Sequence, residues 1–228
     1  MSYYDYKVNT LMVVAHPDDE ILMAGGFLKL KKQFGEKVAV VTLAANAEAR
    51  SLGVQTIAAQ QEKVFEELGV SLYKNFAFPD SELAQVSHLK LVQAIENCIL
   101  MYVPYRVITH FPGDNHMDHK CVSQACQEAI RIVQRISGGC PVMEFLYGEV
   151  PSSTDWGLGN QQFQPNTWNP ISERTLEEKI RLLEMYQEVI RDNPHPRSKE
   201  NLTALARCRG AQAGFQFAEA FQQVFRIM

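Results

Sequence analysis

The stretch AHPDDE, Ala15–Glu20, follows directly on an apolar run and groups one imidazole with three carboxyl groups. Carboxylates this close repel one another unless a positive charge lies between them. A second group of reactive side chains follows about a hundred residues later in HFPGDNHMDHK, which holds three of the six histidines of the chain. The donors are nitrogen and oxygen without a thiolate. Such a set favours a catalytic Zn²⁺, with Fe²⁺ as the alternative metal.

Each cluster alone also has an ordinary structural explanation. Asp18 and Asp19 would stabilise a helix N-terminus through the helix dipole, and Asp118 would cap the helix that follows it. The presence of both clusters, each at the end of a predicted strand, favours the metal. We interpret His110, which precedes Phe-Pro, as a structural residue behind the site, and Glu20 as the start of a helix.

Length and composition predict one globular domain, residues 1–228, with a sizeable core. A net charge of −4, without a basic run, argues against nucleic acid as a partner. The longest apolar stretches have the length of strands, so no membrane association is expected. The first residues lack the layout of a signal peptide, and the five cysteines form no CxxC pair. We therefore expect a cytoplasmic protein with free thiols.

Apolar segments with the character of strands alternate with helical segments through most of the chain. This alternation predicts an α/β fold with a mainly parallel sheet and helices on both faces. The segment 151–170, rich in Gly, Asn, Gln and Ser, predicts a rim loop, as does 44–51. The predicted strands are 11–15, 37–43, 71–78, 106–110 and 142–150, and the predicted helices are 20–35, 55–68, 87–102, 118–136, 176–191, 199–209 and 215–225.

Polar side chains follow four of the predicted strands. His16 to Glu20 follow the first strand, Asn46 the second, Asp80 the third and the histidine-rich segment 110–119 the fourth. In parallel sheets the functional crevice lies beyond the carboxyl ends of the strands. If the first and fourth strands are neighbours, the two clusters converge there.

The pair of motifs, AHPDDE and His116-Met117-Asp118-His119, resembles the PIG-L family of zinc-dependent N-acetylglucosamine deacetylases, also called LmbE-like proteins. FPD at 78–80 and RGAQAGFQFAEAF at 209–221 extend the similarity over nearly the whole chain. The resemblance implies a Rossmann-like α/β fold. It also implies that His16, Asp19 and His119 bind Zn²⁺.

The same resemblance implies roles for the remaining polar residues of the two motifs. Asp18 would be the general base that takes a proton from water, and His116 the cationic partner that stabilises the oxyanion and helps the amine leave. Asp118 would orient His116 and keep it charged. Asp80 would contact sugar hydroxyls.

The chain departs from the family pattern where relatives carry an arginine and a glutamate early in a helix. Ile57 and Ala59 stand near those positions here. Arg50 either substitutes for that arginine in gripping the sugar or is a solvated loop residue. Arg197, in NPHPRSKEN, either meets a phosphate or a sugar hydroxyl or belongs to a rigid surface connection.

The expected function is hydrolysis of the acetyl group of a small-molecule N-acetylated amino sugar, giving acetate and a free amine. One alternative is an amidase for another amino-sugar conjugate. Another is a nucleotide-sugar binding module without catalysis, in which the metal is structural. Trimers and hexamers occur among relatives, so a homo-oligomer is an open expectation.

Overall fold

A seven-stranded sheet forms the centre of the computed structural model, which describes residues 5–45, 56–159 and 161–228. The strand order is β3-β2-β1-β4-β5-β7-β6, with β1 to β5 parallel and the last two antiparallel. The strands are β1 (Val8–Val14), β2 (Val38–Thr42), β3 (Leu72–Asn75), β4 (Pro104–His110), β5 (Glu144–Gly148), β6 (Thr167–Ile171) and β7 (Phe217–Arg226).

Six α-helices cover the two faces of this sheet, as the alternation of strands and helices predicts. One apolar core lies between the sheet and α3 and α4, and a second lies between the sheet and α1, α2 and α5. The fold is therefore the predicted α/β fold with helices on both faces. The helices are α1 (Asp19–Gln33), α2 (Ile57–Leu68), α3 (His88–Tyr102), α4 (Met117–Val133), α5 (Glu173–Glu184) and α6 (Lys199–Gln212).

Strands β1 and β4 are direct neighbours, and this pairing brings the two polar clusters together. They pair in parallel with Val13 opposite Thr109, so both strands end at the same edge of the sheet. Just past that edge, the Ala15 N–H donates to Nε2 of His110 at 2.9 Å. The crevice expected beyond the carboxyl ends therefore contains residues from both motifs.

The prediction of a closing helix over 215–225 is wrong, because Phe217–Arg226 forms strand β7. Alanine, glutamate and glutamine favour a helix, but β7 pairs with both β5 and β6, and the first five of its residues are buried. Ladder hydrogen bonds and burial on two faces override the local preference. The predicted rim loop 151–170 likewise contains strand β6 and a one-turn 3-10 helix, Thr154–Trp156.

Helix α1 is interrupted at Ala24, where the backbone leaves helical geometry (φ −148°, ψ 27°). Glu219 of β7 accepts hydrogen bonds from the N–H groups of Gly26 and Phe27 at 2.9 and 2.6 Å. The ammonium of Lys179 donates to the carbonyl of Leu22 at 2.9 Å and to Glu219 at 2.7 Å. A buried ion pair thus satisfies the backbone groups that the kink leaves without helical partners.

None of the helices within the described ranges has the length and apolar character needed to cross a bilayer. The five cysteines are free thiols, of which Cys98 and Cys126 are buried and Cys208 is exposed.

Candidate metal centre

The first motif occupies the turn between β1 and α1. The ring of His16 is buried just after the strand, and Asp19 opens the helix, where its carboxylate lies at the positive end of the helix dipole. Between them Asp18 has φ 98°, a left-handed conformation unusual for a residue with a side chain. The carboxylate of Asp19 accepts the His16 N–H at 2.9 Å, which closes the turn.

The second motif occupies the start of α4. His116 is the N-cap residue and its ring accepts the Asp118 N–H at 3.2 Å. His119 lies in the first turn, on the face that packs toward the sheet, and is buried. An imidazole therefore takes the capping position that Asp118 was expected to take.

Three atoms from the two motifs lie at the spacing that a tetrahedral ion requires. Asp19 Oδ2 is 3.3 Å from His16 Nδ1 and 3.4 Å from His119 Nε2. A zinc ion with tetrahedral bonds of about 2.05 Å separates neighbouring ligands by about 3.3 Å. His16, Asp19 and His119 thus fit a catalytic zinc site, which takes three protein ligands and keeps one position open.

The nitrogen atoms of these two rings that face away from the three-donor group are each held by a carboxylate. Asp118 Oδ2 is 3.1 Å from His16 Nε2, and Asp114 Oδ1 is 3.2 Å from His119 Nδ1. Such carboxylate–histidine pairs orient metal-binding imidazoles and increase their basicity. This arrangement supports the assignment of Nδ1 of His16 and Nε2 of His119 as the metal-facing atoms.

A second set of donors meets the spacing criterion for a metal, namely His16, His116 and Asp118. It shares His16 with the first set. Its Asp118 carboxylate already accepts hydrogen bonds from the N–H groups of Ser81 and Leu83, at 2.8 and 3.1 Å. The first set is the better ligand group because Asp118 acts there as the partner of a ligand.

His110 lies behind the site, as the sequence predicts. Its Nε2 accepts the Ala15 N–H, so the lone pair of that atom is already used. Its ring stacks on His119 with centroids 4.0 Å apart, and His116 stacks on the other side of His119 at 4.7 Å. Burial, reinforced by the neighbouring His119, lowers the pKa of His110 to about 3.

The electrostatic field of the site favours positive charge. Burial acts to lower the pKa of His119, but Asp19 and Asp114 outweigh it and raise that pKa to about 9. Burial likewise opposes charge on His16, yet hydrogen bonds to Asp118, Asp19 and Asp80 raise its pKa well above the usual value. Three carboxylates around one imidazole match a divalent cation better than a single proton does.

The contact between Asp118 and His116 differs from the expected one. The Asp118 carboxylate faces His16, while its backbone N–H donates to Nδ1 of His116. That donor leaves the His116 proton on Nε2. Burial and the neighbouring His119 and His16 lower the pKa of His116, so the ring is neutral rather than cationic. The reason is the tight helix start, which points the backbone N–H, rather than the carboxylate, at the capping ring.

The three residues proposed for substrate binding have different surroundings. Asp80 Oδ1 lies 3.0 Å from His16 Nε2, beside the metal-binding group. Arg197 reaches the site from the chain between α5 and α6, and its Nη1 donates to Asp18 Oδ2 at 3.3 Å. Arg50, like Asn46, lies outside the described residues.

Asp114 is a site residue whose role the sequence reading missed. It is buried and accepts hydrogen bonds from the His116 N–H at 2.8 Å, Ser153 Oγ at 3.0 Å and Thr154 Oγ1 at 2.5 Å. Its position between two histidines was the only signal in the sequence. Ser153 and Thr154 gave no signal, since they belong to a segment that looked like a surface loop.

The model of the PIG-L family, described as GlcNAc-PI de-N-acetylase, matches residues 11–130, just over half of the chain. No curated protein sequence matched. A conserved protein of Thermus thermophilus, TT1542, is 25% identical with a TM-score of 0.75, covering 97% of this chain and 96% of its own.

Two further solved structures share the fold at lower identity. The N,N'-diacetylchitobiose deacetylase of Pyrococcus horikoshii is 18% identical with a TM-score of 0.75, covering 96% of this chain and 84% of its own. GalB, the 4-carboxy-2-hydroxymuconate hydratase of Pseudomonas putida KT2440, is 21% identical with the same TM-score, covering 96% and 98%.

Proposed function

This chain belongs to the PIG-L family, GlcNAc-PI de-N-acetylase, and from that premise we propose that it removes the acetyl group of an N-acetylated amino sugar by metal-dependent hydrolysis. The observation that carries the proposal is the three-donor group of His16, Asp19 and His119, with its spacing of 3.3 and 3.4 Å. The substrate is of the N-acetylglucosamine type, free or conjugated. Its products are acetate and a free amine.

Zinc held by these three residues would supply an activated water and polarise the acetyl carbonyl. The residues of the chain handle protons and charge around it. Asp18, next to the ligand Asp19, accepts a proton from water as the water oxygen bonds to the carbonyl carbon. The same carboxyl group then returns that proton to the nitrogen as the carbon–nitrogen bond breaks.

His116 is proposed to stabilise the oxyanion as a neutral donor through Nε2–H. The Asp118 N–H occupies its Nδ1, which keeps the proton on the opposite nitrogen. Donors of this kind contribute about 10²–10³-fold to kcat. Asp118 and Asp114 act as partners of the ligand rings, and Asp80 is proposed to accept hydrogen bonds from sugar hydroxyls. Arg50 stays a candidate for gripping the sugar.

The test is acetate release by zinc-loaded protein from free, phosphorylated and nucleotide-linked N-acetylhexosamines. Asp18→Asn is expected to lower kcat by about 10²–10⁴-fold, and His116→Ala by about 10²–10³-fold, with zinc content unchanged. Asp192→Asn and His88→Ala serve as matched controls away from the metal centre. Full activity of both site variants with zinc bound would overturn the mechanism.

A hydratase is the second candidate, because GalB has the same TM-score to this chain as the chitobiose deacetylase has. The same residues would then add water to a carbon–carbon double bond. Loss of the ultraviolet absorbance of a conjugated diene acid, without acetate release from any amino sugar, would favour it. A longer acyl group cleaved in preference to acetyl would indicate an amidase, and tight nucleotide-sugar binding without turnover would indicate a binding module.

A further inference from the structure

The backbone of Asp18 needs external support, because a residue with a side chain at φ 98° costs about 1–3 kcal/mol. Such a conformation persists only where surrounding contacts hold it. Its own helix start supplies part of that support, since the Asp18 carbonyl accepts the N–H groups of Ile21 and Leu22 at 3.1 and 2.9 Å. These contacts leave the Asp18 N–H and carboxylate to be held by other groups.

Arg197 holds the carboxylate of Asp18. Its Nη1 donates to Asp18 Oδ2 at 3.3 Å, and its Nε donates to Ser152 Oγ at 2.7 Å and to the Pro151 carbonyl at 3.3 Å. Ser152 is itself in the left-handed region, with φ 79°. The guanidinium is largely buried, at 16% exposure, so solvent competes little for these contacts.

Glu20 and Tyr186 hold the backbone of Asp18. A Glu20 carboxylate oxygen accepts the Asp18 N–H at 3.2 Å, and the Tyr186 hydroxyl bonds both Glu20 and the Asp18 backbone. Gln61 donates to the same Glu20 oxygen at 3.2 Å. Both Glu20 and Tyr186 are fully buried. Glu20 therefore does more than begin helix α1.

Tyr186 and Arg197 come from one stretch of chain, 186–197, that connects α5 to α6. We infer that this stretch is a positioning clamp for Asp18, with Tyr186 acting through Glu20 on the backbone and Arg197 acting directly on the carboxylate. Arg197 then serves the proposed base rather than the substrate. The clamp lies outside the matched family region 11–130. The inference rests on the proposed function only for the role of Asp18 as base.

The kinetic test uses Arg197→Gln and Tyr186→Phe in zinc-loaded protein. A displacement of about 1 Å at a reacting group costs on the order of 10²-fold, so we expect Arg197→Gln to lower kcat by that factor with KM within twofold. Tyr186→Phe is expected to lower kcat by roughly tenfold, since Glu20 remains. Arg174→Gln and Tyr73→Phe are matched controls on exposed surface.

A double-variant experiment separates positioning from substrate binding. In an Asp18→Asn background, Arg197→Gln should leave the residual kcat and KM unchanged, because the group that the clamp positions is already lost. A further rise of KM in that background would show that Arg197 binds substrate and would overturn the inference. Unchanged kcat of Arg197→Gln in the wild-type background would overturn it as well.

Thermal unfolding tests the clamp independently of any substrate. The losses of melting temperature from Arg197→Gln and Asp18→Asn should be less than additive, because both remove the same contact. Strict additivity would contradict the clamp. If wild-type protein releases acetate from no substrate while this coupling is observed, the proposed function fails and the clamp stands.

Discussion

Asp18 combines a strained backbone with the chemical role proposed for its side chain. The left-handed conformation turns the chain sharply enough for His16 and Asp19 to face the same point from opposite sides of the turn. Glycine would adopt this φ without strain but would lack the carboxylate. The residue thus illustrates how strain is concentrated where chemistry requires a particular side chain.

The strain at Asp18 predicts an unusual order of stability. Asp18→Gly and Asp18→Ala both remove the contact with Arg197, so they differ mainly in backbone freedom. We expect Asp18→Gly to be the more stable by about 1 kcal/mol, since the left-handed penalty of alanine exceeds the entropy cost of glycine. Denaturant unfolding of the two metal-free variants measures this difference. An alanine variant of equal or greater stability would contradict the strain.

Asp114 provides a second prediction at the level of a single residue. Its carboxylate holds Nδ1 of His119, so Asp114→Asn should weaken zinc binding by about 10–100-fold. Competition with a chromophoric chelator measures this change, and Asp5→Asn is the exposed control. Wild-type zinc affinity in the variant would show that His119 needs no such partner.

Helix α1 depends on an ion pair that belongs to other elements. Lys179 of α5 and Glu219 of β7 satisfy the backbone groups on either side of the kink at Ala24. The kink lies one turn after the metal-binding turn. Because the pair is buried, with 9% and 5% of the two side chains exposed, it joins three elements in a region that water does not reach.

We therefore expect Glu219→Gln to cost about 3–5 kcal/mol of unfolding free energy, because it leaves the Lys179 ammonium buried without its counter-charge. Glu178→Gln, which removes the more exposed partner of Lys29, is the control and should cost about 1 kcal/mol or less. Chemical denaturation of the two variants compares them directly. Equal, small losses would show that the buried pair contributes no more than a surface pair.

The whole molecule brings two distant parts of the chain to one ion. His16 and Asp118 are 102 residues apart in the sequence and meet because β1 and β4 are neighbours. A ligand that binds only the folded state stabilises it according to its concentration and affinity. Removal of zinc should therefore lower the melting temperature reversibly, and His119→Ala should abolish that response. Differential scanning fluorimetry with chelator and with added zinc measures both; equal melting temperatures with and without metal would contradict the site.

The thiols offer a test of the buried core as a whole. Burial raises the pKa of Cys126 to about 12 and that of Cys98 to about 11, so at pH 8 both are protonated and unreactive. Exposed Cys208 should react first with iodoacetamide, as peptide mass spectrometry would show. Rapid labelling of Cys126 in native protein would contradict the packing of α4 against the sheet.

The sequence by itself determined the chemistry of the donors and the class of the fold. Nitrogen and oxygen ligands in AHPDDE and HMDH pointed to a metal because side-chain chemistry is local, and the alternation of strands and helices predicted the α/β sheet because periodicity is local as well. The structure confirms this fold class and brings His16, Asp19 and His119 together. The single domain, the cytoplasmic location and the oligomeric state stay predictions.

Only the tertiary structure decided which groups support those donors. Asp118 serves His16 rather than His116, Asp114 holds His119, and Arg197 meets Asp18 across 179 residues of sequence. The closing segment became a strand for the same reason, since its partners β5 and β6 outweigh its local preference for a helix. Contacts between residues far apart in the chain depend on strand order and packing, and no local pattern of residue types encodes them.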